Sequence, residues 1–176
     1  MPELDTMPPL PSTLTLTWRD EADTEAFAQA LAASLPTVDG VCSAFIELRG
    51  DLGAGKTTFV RHLLRALGAT GRIKSPTYAV VEPYTLPRGP VWHFDFYRFA
   101  DPREWLDAGF RDIFASAGLK LVEWPDKAAG LLPAADWVLA LQTQDDETRQ
   151  VTITAHTEAG QALLAAMPHA AARQVD

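Results

Sequence analysis

The chain predicts an α/β domain, a β-sheet with helices on its faces, on three observations. Apolar runs of strand length alternate with segments whose apolar residues recur at helical spacing. A glycine-rich stretch, GDLGAGKTT at residues 50–58, separates one such strand from one such helix. The 176 residues, 47% hydrophobic and 22% charged, are enough for one domain with a substantial core.

Each element has its own signal. TLTLTW (13–18) alternates like a half-buried strand, and residues 20–35 have helical spacing with acids in the first turn, where the helix dipole favours them. SAFIEL (43–48) reads as a short buried strand and FVRHLLRAL (59–67) as the helix beyond the glycines. AVVEPY (79–84) and PVWHFDFY (90–97) read as strands joined by the turn-like TLPRG. Short helices are expected around Glu104 and Ile113, then a buried strand at LKLVEW (119–124). DWVLALQ (136–142), RQVTITA (149–155) and EAGQALLAAM (158–167) close the pattern as strand, strand and helix. Residues 1–12, rich in proline and lacking an apolar run, read as a flexible leader and neither a signal peptide nor a membrane span. Residues 13–168 then form the domain and 169–176 a frayed end.

Composition narrows the function. A formal net charge of −8 and a pI near 4.9 argue against a broad basic surface for nucleic acid. Cys42 is the only cysteine, so there is no internal disulfide, and no Cys/His cluster has zinc-ligand spacing. The expected compartment is the cytoplasm.

The strongest chemical signal is residues 50–58, which fit G-x-x-x-x-G-K-[ST] between a strand and a helix. Glycines there let successive backbone N–H groups curl around phosphate oxygens, and the following helix directs its positive end at the same anion. The binding segment is Asp51, Leu52, Gly53, Ala54, Gly55, Lys56, Thr57 and Thr58. Lys56 would reach the outer phosphates of a nucleotide and the Thr57 hydroxyl would bind Mg²⁺.

Such a cation also needs a carboxylate. Asp95, after VWHF, and Glu123, after LKLV, both end apolar strands, where open α/β sheets place their ligands. The plainer alternatives are an Asp95–Arg98 ion pair and a solvated Glu123 before Pro125. In KSPTY (74–78), Pro76 makes Ser75 extended and Thr77 offers a loop hydroxyl, so the loop could order around a γ-phosphate. A plain Ser-Pro turn is the alternative. His93 reads as a hydrogen-bonded structural histidine in preference to a catalytic base. The chain has no asparagine, hence no Asn-Lys-x-Asp guanine motif, and Arg98, Arg103 and Arg111 are too scattered for a kinase lid.

Four ordered blocks, GDLGAGKTTF (50–59), KSPTY (74–78), HFDFYR (93–98) and EWP (123–125), resemble the TsaE (YjeE) family. Its members are bacterial P-loop ATPases required to make threonylcarbamoyl-adenosine beside the anticodon of certain tRNAs. The resemblance, over roughly residues 18–167, implies a P-loop NTPase-like three-layer sandwich, its mostly parallel central sheet extended by antiparallel strands. It implies ATP and Mg²⁺ as cofactors, with Lys56 on the phosphates and Thr57, Asp95 and Glu123 at the metal. It makes Trp124 a neighbour of that site and Ser75, Pro76, Thr77 and Tyr78 a switch-like loop. Thr24 and Arg149 are the matching positions for adenine. The implied partners are TsaB and TsaD, with tRNA contacted indirectly and no membrane. A P-loop small-molecule kinase and an ATP-binding scaffold that needs no hydrolysis are the rival readings. Two departures stand out: His62 where a glycine is common, and Phe96 where leucine is usual.

Overall fold

The computed structural model describes residues 12–73, 75–76, 78–101, 103–107 and 109–168. Residues 1–11 of the expected leader, the expected frayed end and Thr77 lie outside them. Ser12 already belongs to a strand, β1 (Ser12–Trp18), which α1 (Glu21–Ser34) follows. Asp20 caps α1, its side chain accepting a hydrogen bond from the Asp23 N–H, which satisfies one of the donors a helix start leaves open.

A small hairpin, β2 (Thr37–Val38) and β3 (Val41–Cys42), comes next, too short for any periodicity to announce it. Then come β4 (Ala44–Arg49), α2 (Lys56–Ala66), β5 (Val81–Leu86) and β6 (Gly89–Asp95). The turn between β5 and β6 is tighter than TLPRG suggests: Thr85 and Leu86 pair with Pro90 and Gly89. Helices α3 (Arg103–Asp107) and α4 (Phe110–Ala115) precede β7 (Leu119–Glu123), and a 3-10 turn spans Pro125–Ala128. β8 (Trp137–Thr143), β9 (Arg149–Ala155) and α5 (Glu158–Ala166) complete the domain.

Seven strands form one sheet in the order β1-β9-β8-β4-β7-β6-β5. The central four, β8, β4, β7 and β6, are parallel. β9 and β1 extend them antiparallel on one side and β5 on the other. Pro83 sits in β5, an edge strand, where its missing N–H costs no ladder bond.

Each face of the sheet has its own core. Ile46 and Leu48 of β4 pack with Phe27 and Leu31 of α1, Phe59 and Leu63 of α2, and Leu163 of α5. Phe45 and Phe94 face the other way, with Phe96, Phe99, Trp105 and Phe110. Alternation along the strands sorts these side chains, which is why LKLV and VWHF, apolar but for Lys120 and His93, serve two cores. Phe96, the departure from leucine, is fully buried there, its ring 4.7 Å from Phe99 and 5.8 Å from Trp105.

The α5 contact is unusually close. Trp137 Nε1 donates to the Gly160 carbonyl at 2.8 Å. A Cβ on Gly160 would lie 2.1 Å from the Asp136 carbonyl oxygen. Gly160→Ala should therefore destabilise the fold by about 2 kcal/mol through overpacking, although alanine is intrinsically the better helix former. Denaturant unfolding reads the sign directly, and a stabilised variant would contradict the packing.

Candidate functional site

β4 ends at Arg49 and the chain turns through Gly50 to Gly55 before α2 begins at Lys56. Gly50 cannot carry a side chain, because a Cβ would meet the Leu141 carbonyl oxygen at 2.6 Å. Gly55, at φ 105°, is left-handed and offers α2 no side-chain cap. The first N–H groups of this 11-residue helix thus have no side-chain cap, and no acidic side chain in the first turn would oppose an anion there.

Lys56 is 5% exposed. Its ammonium donates to the Gly50 carbonyl at 2.5 Å and lies 3.8 Å from the centre of the Trp124 ring. Burial pushes the Lys56 ammonium down, while the charges of Glu123, Asp95 and Asp51 act against that shift. Trp124 reaches this position by a left-handed backbone, φ 56° and ψ 51°, which a non-glycine residue adopts only at a cost.

The two strand-end carboxylates meet here. Asp95 and Glu123 are direct partners in the β6–β7 register, on the face that also carries α2. Glu123 is not solvated: it is 2% exposed, and the Thr57 hydroxyl donates to its Oε1 at 3.4 Å. Its Oε2 lies 2.6 Å from His93 Nε2. Asp95 forms no ion pair with Arg98. Its Oδ1 accepts the Tyr97 N–H at 2.9 Å, while the Arg98 guanidinium lies 4.6 Å from the centre of the Tyr78 ring. Lys56, Thr57, Asp95, Glu123, Trp124 and Ser75 all line one cleft of about 330 Å³. Pro76 is buried and its carbonyl accepts the Val80 N–H, whereas Tyr78 is 85% exposed.

A second cavity, of about 220 Å³, opens on the other flank of the same loop. Thr24 and Arg149 both line it, together with Trp18, Ala54, Gly55 and Thr58. Arg149 Nε donates to the Ala54 carbonyl at 3.0 Å, tying β9 to the loop. The two hollows share Gly55 and Thr58. His62 stays out of both and instead joins α2 to α1, its Nε2 2.8 Å from Glu21 Oε1.

Among the described residues, no group of three or more His, Cys, Asp and Glu could hold a metal ion. A hydroxyl and two carboxylates nonetheless suit Mg²⁺, which keeps waters and shares phosphate oxygens. Sequence reasoning missed two ties around the site. One is the His93–Glu123 contact; the other is Arg49, which bonds Asp126 at 2.7 Å and Glu47 at 3.1 Å. The i, i+2 spacing of Glu47 and Arg49 in a strand is the signal for the latter.

Burial holds the Asp95 carboxyl above its ordinary range, with the Glu123 charge adding to the effect and the Tyr97 N–H opposing it. A folded-state value above the unfolded one makes Asp95 favour the fold at low pH, a contribution lost as pH rises through the raised value. Asp95→Asn, which keeps the acceptor for Tyr97, should melt at or above the parent's temperature at pH 7. That gap should close as pH falls into the usual carboxylate range; a variant less stable at every pH would contradict it.

The family described as "Threonylcarbamoyl adenosine biosynthesis protein TsaE" matches residues 18–151. The protein of that name from Haemophilus influenzae is 38% identical over 147 residues, 84% of this chain and 92% of its own. The Bacillus subtilis protein of that name is 34% identical over 142 residues, covering 80% and 85%. The crystal structure of Bacillus subtilis YdiB superposes with a TM-score of 0.71 at 28% identity, covering 90% of this chain and 95% of that one. The family match spans the glycine loop, both strand-end carboxylates and Arg149, and on it the chain belongs to the TsaE family.

Proposed function

We propose that the protein binds ATP with Mg²⁺ and hydrolyses it as a component of the machinery that makes threonylcarbamoyladenosine in tRNA, acting with TsaB and TsaD. The observation that carries this reading is the convergence of Lys56, Thr57, Asp95 and Glu123 on one cleft beside the open end of α2. Backbone N–H groups of residues 51–58 would cradle the phosphates and Lys56 would turn from the Gly50 carbonyl to their oxygens. Thr57, Asp95 and Glu123 would hold the metal, which, when bound, offsets charge on the phosphate oxygens. The cavity at Thr24 and Arg149 would take the adenine end, leaving the loop between base and phosphates.

Hydrolysis by the chain alone should be slow. Arg98, though it lines the cleft, is engaged by the Tyr78 ring, and Lys56 is engaged by Gly50 and Trp124. Docking on TsaB and TsaD would order residues 74–78 over the γ-phosphate and place the attacking water. The net charge of −8 favours protein partners over direct tRNA capture. No described helix is long and apolar enough to cross a membrane, and cytoplasm is the compartment this reading implies.

Two measurements test it. Lys56→Ala should cut ATP turnover by about 100-fold or more, and TsaB with TsaD should accelerate the parent; equal, fast rates with and without them would exclude the gating. Asp95→Ala and Glu123→Ala that still bind the partners should lose both hydrolysis and tRNA modification. Modification surviving in them would make hydrolysis dispensable and leave only a nucleotide-bound scaffold.

A further inference from the structure

The two carboxylates at the cleft are tethered in the same way by different means. Asp95 has Oδ1 tied to a backbone N–H, that of Tyr97 at 2.9 Å. Glu123, at 2% exposure, has Oε2 tied to His93 Nε2 at 2.6 Å, and its Oε1 faces the Thr57 hydroxyl. Each carboxylate thus has one oxygen anchored by the protein and presents the other. The Asp95 anchor is main chain and survives any substitution other than proline; the Glu123 anchor is a single side chain.

His93 is 1% exposed, and its Nδ1 has no hydrogen-bond partner among the described residues. A hydrogen on Nδ1 would be a buried, unsatisfied donor. The ring therefore carries its hydrogen on Nε2 and donates it to Glu123, which fixes the direction of the bond. The side chain of Glu123 has three rotatable bonds, and Mg²⁺ tolerates little departure from octahedral geometry. A glutamate left loose would have to be ordered each time the metal arrived.

We propose that His93 is a positioning residue: it locks Glu123 by Oε2 so that Oε1 is held beside the Thr57 hydroxyl as a preset, single-oxygen metal ligand. This rests on the ATP–Mg²⁺ reading of the cleft and adds to it a residue that touches neither nucleotide nor metal. A hydrogen bond that holds a metal-ligating side chain in place is commonly worth about 10- to 100-fold in metal affinity. His93→Leu keeps the bulk and removes the donor; His93→Gln places an amide N–H near the former Nε2.

The test has one arm that needs no ligand. Long-range ¹H–¹⁵N spectra of the free parent protein should show His93 with hydrogen on Nε2 and none on Nδ1, and a shifted resonance in Glu123→Gln. Hydrogen on Nδ1 alone, or no response to Glu123→Gln, overturns the proposal. In the second arm, calorimetry follows ATP binding at increasing Mg²⁺. His93→Leu with native circular dichroism should need about 10- to 100-fold more Mg²⁺ for the same strengthening of ATP binding, and His93→Gln should recover most of that loss. If His93→Leu does not fold, His93→Gln against the parent decides, since a donor-preserving variant that itself needs about 10- to 100-fold more Mg²⁺ would refute the tether. A parent that responds to Mg²⁺ while the folded Leu variant matches it overturns this inference alone. A parent whose ATP binding ignores Mg²⁺ overturns the proposed function, and this inference with it.

Discussion

Everything at the site hangs on the register of three parallel strands. Leu48 of β4 lies opposite Glu123 of β7, and Glu123 lies opposite Asp95 of β6, so the strands finish level. The chain leaves β4 at that line and enters the glycine loop, which is why a lysine and a threonine from α2 meet carboxylates drawn from 38 to 67 residues further on. A slip of one residue between β6 and β7 would turn Asp95 toward the aromatic cluster around Phe94 and Phe110. The register is protected because the same slip would turn Phe94, fully buried, out of that cluster.

The site is also where the fold is least comfortable. Lys56, Glu123 and His93 are all nearly buried, and buried ionisable groups disfavour folding unless partners compensate. Trp124 adds a left-handed backbone. The compensation lies close by, in the second core, where Phe94, Phe96, Phe99, Trp105 and Phe110 form a continuous set of ring contacts. That cluster starts one residue before Asp95 and resumes one residue after it, so the stretch VWHFDFYRF carries an aromatic anchor on each side of its carboxylate.

Much of this was legible in the sequence, for identifiable reasons. The alternation of runs gave the helices and the principal strands because amphipathic periodicity is a local property. The motif at residues 50–58 located the loop because its glycines answer to backbone geometry, as Gly50 and Gly55 now demonstrate. Asp95 and Glu123 stood out as charges ending apolar strands. Less was legible where the cause lies elsewhere in the chain. The β2–β3 hairpin has two residues to a strand and no pattern. The bond from His93 to Glu123 spans 30 residues and depends on strand pairing. The tie from Arg149 to the Ala54 carbonyl spans 95, and nothing local to either segment foretells it.

One pairing sets the order in which the molecule can be completed. Among the described residues β1 is bonded along its whole length to β9 alone, with Ser12 opposite Ala155 and Trp18 opposite Arg149. Trp18 also stacks on Phe59 at 5.7 Å, so the first strand bears on the helix that starts at the glycine loop. During synthesis β1 emerges well before β9 and waits for residues some 140 positions later before its ladder can close, a contact of high sequence separation and hence late formation. The hollow bounded by Trp18, Thr24 and Arg149 is therefore a feature of the finished chain only: a nascent polypeptide that already displays the glycine motif has no wall on that side until its last strand is in place.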